Sequence, residues 1–167
     1  MSFLVGSDHP EFERLMAQLD YTMFIVTTSD GRRKAGCLIG FASQVSIGPP
    51  RFLAGLSVRN HTFRVAAGAE VLVVHVVPEE AEELAELFGG ETGDDTDKFA
   101  QCQWREGPGG APVLTDVESW FAGRILGRSE FGDHVGFLLE PIAGQAGCSA
   151  SALTFRRAKG IHPGHEP

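Results

Sequence analysis

The sequence predicts a mainly β fold: an antiparallel barrel with about three helices at its rim. Three observations carry that prediction. Six or seven short runs rich in β-branched and aromatic residues are separated by clusters of Gly, Pro, Asn and Asp. Three segments carry a helical period. The two kinds do not alternate as βαβ units would, which argues against a doubly wound parallel sheet.

The elements follow in order. Ser7–Asp20 reads as a helix capped by Ser7 or Asp8, with Pro10 in its first turn. Phe12, Leu15, Met16 and Leu19 give it one apolar face. Tyr21–Thr28 is an apolar, β-branched strand, Ser29-Asp30-Gly31 a turn, and Lys34–Ile47 the returning partner strand. Arg51–Ser57 is a third strand. Asn60 caps a short helix through Ala67, with Gly68 as its stop. Val71–Val77 is apolar enough for burial on both faces. Pro78 opens an acidic helix through Phe88, with Ala81, Leu84, Ala85 and Phe88 turned inward. Gly89–Asp97 is a polar loop, Lys98–Trp104 is ambiguous, and Pro108–Pro112 is a turn. Val113-Leu114, Ser119–Leu126 and Val135–Pro141 are strands, with Ser151–Phe155 as one more. Residues 1–160 read as one domain and 161–167 as a frayed tail.

The 167 residues are enough for one substantial core. Hydrophobic residues make up 43% and charged residues 22%, ordinary for a soluble globular protein. Fourteen basic residues against 22 acidic ones leave a net charge of −8, a poor balance for general binding to nucleic acid or an anionic membrane. Cys37, Cys102 and Cys148 are odd in number and far apart, so neither a disulfide framework nor a Cys-x-x-Cys site is indicated. No apolar run approaches about 18 residues, and no signal peptide is visible. The expected location is the cytoplasm.

Most familiar chemistries find no motif here. Gly107-Pro108-Gly109-Gly110 lacks the strand-to-helix setting of a dinucleotide turn, and no Walker sequence or Gly-x-Ser-x-Gly elbow exists. Cys37 sits in an apolar strand without a local base and reads as packing. His75 reads as a hydrogen-bonded core histidine. The carboxylates of Glu79–Glu86 read as a solvated helix face. His162 with His165, and Asp94, Asp95 and Asp97, lack the spacing of metal sites, and no metal is expected.

The stretch Gly36–Thr62 is the most informative. Gly36 and Gly40 suggest a backbone that something approaches closely. Ser43, Gln44 and Ser46 place polar groups beside it. Pro49 and Pro50 end the strand, and Ser57, Arg59, Asn60, His61 and Thr62 form a second polar cluster where a strand gives way to a helix. Two polar clusters flanking a hydrophobic strand suit a ligand with a flat apolar body and a phosphate tail. Gly132-Asp133-His134 is either a β-turn whose aspartate bonds its own backbone or a turn that projects His134 into a cleft. Lys98-Phe99 is either a helix start with a core aromatic or an ammonium near a phosphate with a ring near a flat ligand.

In this order, the segments Met23–Thr28 with Asp30-Gly31, Gly36–Pro50, Ser57–Thr62, Leu87–Gly90, Asp97–Phe99, Pro112–Leu114 and Gly132–His134 resemble the flavin reductase-like family of FMN-binding split-barrel proteins. The resemblance runs over nearly the whole chain. It implies an antiparallel split β-barrel, a homodimer with flavin near the interface, and reduction of FMN or FAD by NADH or NADPH, often to supply a partner monooxygenase. It further implies that Gly36, Cys37, Leu38, Ile39, Gly40, Ser43 and Gln44 line the isoalloxazine. Ser57, Val58, Arg59, Asn60, His61 and Thr62 would surround the ribityl phosphate, Lys98 and Phe99 would close over the cofactor, and His134 would stand on the nicotinamide side. One departure stands out: Leu38 and Gly40 occupy positions where family members commonly have Thr and Ser. Two hydroxyl donors are thereby absent, and main-chain N–H groups would have to replace them. Three readings compete: an NAD(P)H:flavin oxidoreductase, a flavin-binding electron carrier without turnover, and a split-barrel protein using a deazaflavin or heme.

Overall fold

The structure is a computed structural model that describes residues 8–90, 97–148 and 151–159. The proposed Ser7 cap, Asp94 and Asp95 of the acidic loop, and the tail with His162 and His165 lie outside the described residues. In chain order the described residues form α1 (Pro10–Met16), β1 (Phe24–Ser29), β2 (Lys34–Ile39), β3 (Ala42–Ser46), β4 (Arg51–Ser57), α2 (His61–Ala66) and β5 (Val71–Val76). Then come α3 (Glu82–Gly90), β6 (Trp104–Glu106), β7 (Pro112–Leu114), β8 (Trp120–Glu130), β9 (His134–Gln145) and α4 (Phe155–Ala158). Single 3-10 turns occupy Lys98–Ala100 and Pro108–Gly110.

Seven strands make one antiparallel sheet in the order β2-β1-β5-β8-β9-β4-β3, and β6 pairs with β7 in a separate ribbon. The edge strands β2 and β3 follow one another directly in the chain. Gly40 and Phe41 alone carry the chain from one edge to the other, so the sheet curls until its edges meet. The Gly55 N–H donates to the Phe41 carbonyl at 2.7 Å and pins that crossing to β4. The architecture is an antiparallel split barrel.

The single strand read over Lys34–Ile47 is therefore corrected to two. Its first half pairs with β1 and its second with β4, and no straight strand reaches both edges of the sheet. β8 and β9 run several residues beyond their expected ends, because their hairpin pairs from Glu130↔Val135 to Trp120↔Gln145. Pro141 is accommodated beside a register shift at Ala122/Gly123, as a residue without an N–H requires. The strand expected over Ser151–Phe155 reduces to isolated bridges, Pro78↔Ala152 and Thr22↔Thr154, followed by α4. The N-terminal helix is shorter than its apolar period, and it buries no residue: Phe12, Leu15, Met16 and Leu19 stay exposed.

Of three packed clusters among the described residues, two meet at β1. Inside the barrel, Val26, Cys37 and Ile39 meet Leu72, Val74, Ala54, Leu56, Phe137 and Leu139. On the outside of β1 and β2, the α3 residues Ala85 and Phe88 pack with Met23, Ile25, Phe99, Leu114 and Leu153. β1 is thus covered on both faces. His75 bridges the second cluster. The Leu114 N–H donates to Nε2 at 3.0 Å, which puts the ring proton on Nδ1, 3.0 Å from the Ile25 carbonyl. Burial holds this imidazole at a pKa of about 4, against the pull of the Ile25 bond.

Candidate functional site

β4 and β9 build the floor of the site. Their register pairs Leu53 with Leu138, Gly55 with Gly136, and Ser57 with His134. Cross-strand partners share a face, and Ala54, Leu56, Val135 and Phe137 between them point into the core. The outer row therefore reads leucine, glycine, then a polar pair. At the glycine pair the sheet has no side chains. A Cβ at position 55 would stand 3.0 Å from the Phe41 carbonyl oxygen, and one at 136 would strike the Phe131 ring.

A cleft of about 410 Å³ opens over this floor. Phe41, Ala42 and Ser43 form one wall, Leu53 and Gly55 the base, and the turn Phe131–His134 the other wall. The turn is closed by the Phe131 N–H donating to the His134 carbonyl at 3.0 Å. The His134 ring lies 4.8 Å from the Phe41 ring, and its Nδ1 stands 2.7 Å from an Asp133 carboxylate oxygen. That oxygen accepts, so a proton sits on Nδ1. His134 thus does face a cleft, and Asp133 fixes its ring.

The polar cluster after β4 adjoins this wall. Ser57 lies opposite His134, and the Val58 N–H donates to the Asp133 carbonyl at 2.9 Å. Asn60 caps α2, its side-chain oxygen accepting from the Thr62 N–H at 2.8 Å. Ser57 Oγ accepts from the Arg59 N–H at 3.3 Å. Val58 and Arg59 are exposed, and Ser57, Asn60 and His61 are half-buried. Thr62 is buried, turned toward Cys37.

The first half of the proposed flavin strand is not open. Phe88 of α3 fills the space in front of Gly36, where a Cβ would be 2.7 Å from its ring. The Tyr21 ring and the Met23 sulfur fill the space in front of Gly40. Cys37 and Ile39 point the other way, into the barrel. The reading that Gly36 and Gly40 leave backbone free for a ligand is therefore corrected: the close approach there is by the chain's own rings. Leu38 packs among the α3 cluster. Burial pushes the Cys37 thiol up, despite hydrogen bonds with Thr62 and Asn60, and this keeps it an inert neutral group. Ser43 and Gln44, beyond the crossing, are exposed.

Lys98 and Phe99 also fall on the closed side. The Lys98 ammonium is buried and donates to the carbonyls of Gly36 at 3.2 Å and Phe88 at 3.1 Å, tying β2 to α3. Phe99 packs edge-on against Phe88 and Trp104. Of the two alternatives for this pair, the geometry matches the core one. Phe41, Leu53, Gly55, Phe131 and Gly136 escaped the sequence reading. The signal was there: a lone glycine inside each of the runs Arg51–Ser57 and Val135–Pro141 marks a close approach. Among the described residues, no group of three or more His, Cys, Asp and Glu is arranged to hold a metal, and no helix is long and apolar enough to cross a membrane.

Known proteins share this framework. The chain is 32% identical over 133 residues to an FMN reductase (NADH) RutF of Methylorubrum extorquens, covering 80% of the chain and 64% of that relative. The chain thus spans a little under two thirds of that relative's length. Among solved structures, a flavin reductase domain protein from Arthrobacter sp. FB24 superposes with a TM-score of 0.78 at 23% identity, over 87% of this chain and 89% of that one. The NADH:FAD oxidoreductase SgcE6 of Streptomyces globisporus gives a TM-score of 0.79 at 22% identity, over 88% and 87%. Both share the fold. The sequence profile of the flavin reductase like domain matches residues 16–160. With that match and the split barrel in place, the chain belongs to the flavin reductase like domain family.

Proposed function

We propose that this protein is an NAD(P)H-dependent flavin reductase. The observation that carries the reading is the cleft between Phe41–Ser43 and Phe131–His134, in a chain of this family. Its lining fits the group: a mostly apolar cleft of about 410 Å³, with a polar cluster at one edge. Ala42, Ser43, Leu53 and Gly55 would hold the isoalloxazine. Ser57, Arg59, Asn60 and His61 would meet the ribityl phosphate. This shifts the ring from Gly36–Gly40 to the segment just beyond the crossing. FMN is the favoured flavin and NADH the favoured reductant, after the relative described as an FMN reductase (NADH), with FAD and NADPH as further candidates.

When bound, the cofactors themselves supply the hydride donor and acceptor. The chain's work is to orient and to exclude water. Leu53 and Gly55 would give a flat ring an apolar floor. His134, held by Asp133, offers a fixed polar group at the open edge. A second reading, flavin binding without turnover, is favoured by one observation: Leu38 and Gly40 carry no hydroxyl, and Tyr21 fills the space a side chain at 40 would need. We further propose a homodimer, which would cover the exposed apolar face of α1, and a partner monooxygenase as consumer of the reduced flavin.

Purified protein mixed with FMN and NADH should bleach the visible flavin absorbance. Failure to oxidise NADH or NADPH with either FMN or FAD defeats the reductase reading, and tight FMN binding without turnover selects the second. His134→Ala should lower turnover more than flavin affinity. An unchanged rate would return His134 to a purely structural role.

A further inference from the structure

Phe41 and Phe131 are 60% and 66% exposed, and both edge the same cleft. Two large rings left in water at one concavity point to a ligand rather than to chance. Each ring has a defined place. Phe41 sits on the crossing that closes the barrel, pinned through its carbonyl to Gly55 and by its ring to His134. Phe131 starts the β8–β9 turn, and its ring lies on Gly136 beside Leu53. The cross-strand pair Gly55↔Gly136 removes side chains where these two groups come down on the sheet.

We infer that Phe131 is a ring-binding residue: together with Phe41 it forms a pair of jaws that grip the flat conjugated ring of the flavin. The inference rests on the flavin reading above and adds to it a residue outside the resembling motifs. The jaws act on the ring half of the ligand. Their contribution is independent of the phosphate, which the cluster after β4 would bind separately. Phe131 packs on backbone and one leucine, away from both core clusters, so replacing it should leave the barrel intact.

The test titrates the full chain with lumiflavin, which has the ring without the ribityl phosphate, and with FMN, following quenching of flavin fluorescence. Phe131→Leu should weaken both ligands by the same factor, about threefold to tenfold. Phe131→Trp, which keeps an aromatic jaw, should retain both. Equal affinities for wild type and Phe131→Leu would overturn the inference and leave flavin binding standing. So would a loss confined to FMN, or wild-type binding of FMN but not of lumiflavin. A loss in Phe131→Leu that tracks a changed sedimentation mass would reassign the ring to an interface and also overturn it. Wild-type binding of neither ligand would sink both this inference and the flavin reading.

Discussion

Two pairs of glycines sit in this barrel, and they have opposite fates. Gly36 and Gly40 on β2 and its exit face the rings of Phe88 and Tyr21, which belong to the packed exterior of the strand. Gly55 and Gly136 face the Phe41 backbone and the Phe131 ring, which edge an open cleft. In both cases a missing Cβ makes room for another group. The lesson is that a strand glycine announces an incoming group without saying whether that group is core or site. Burial of the visitor decides that, and burial is a tertiary property. The two histidines repeat the contrast: His75 is locked between two backbone groups, whereas His134 stands half-open at the cleft.

The contrast is sharpest for pH. His75 is neutral in the folded chain, with a pKa of about 4, against an ordinary value near 6.5. Above pH 6.5 both folded and unfolded chains hold it neutral, and its contribution is fully present. As pH falls toward 4, the unfolded chain takes a proton that the folded one refuses, so stability drops, by about 3 kcal/mol in all. Urea unfolding of wild type against His75→Gln should show this slope only in wild type, and parallel curves would break the assignment.

The next largest effect tests the closed side directly. Lys98→Met leaves two buried carbonyls without their donor and should cost about 2 kcal/mol. If Lys98 instead served a phosphate, the variant would fold as stably as wild type and lose FMN affinity. Gly40→Ser places a hydroxyl where the resemblance leads one to expect it. The serine must displace the Tyr21 ring, which stacks on Phe155 at 4.9 Å, so thermal stability should fall by about 1–2 kcal/mol with no gain in flavin affinity. A tighter flavin complex at unchanged stability would show that the closed side can open. On the open side, Asn60→Ala removes the α2 cap and should cost about 1 kcal/mol. It should also weaken FMN more than riboflavin, and equal losses would contradict the phosphate placement.

Much of the fold was legible. Arg51–Ser57 and the Asn60 cap stand as read, because a short apolar run bounded by turn residues and an Asn at a helix start are local signals. The break at Gly40-Phe41 was not legible, since only the pairing of β2 and β3 at opposite edges demands it. The site was half legible. Ser43, Ser57 and His134 do come onto neighbouring strands of one sheet, β3, β4 and β9. Lys98 and Phe99 carried two readings of equal local quality, and the packing of α3 chose the core one.

The sequence alone determined the strand runs, the capped helix, and which residues carry polar chemistry, since these follow from side-chain period and hydrogen-bonding capacity within a few residues. Tertiary structure decided which glycines open onto a cleft and which histidine lines it. Those outcomes depend on what arrives from distant parts of the chain: a ring from α3, a ring from the β8–β9 turn, and a sheet curled far enough to bring its own edges together.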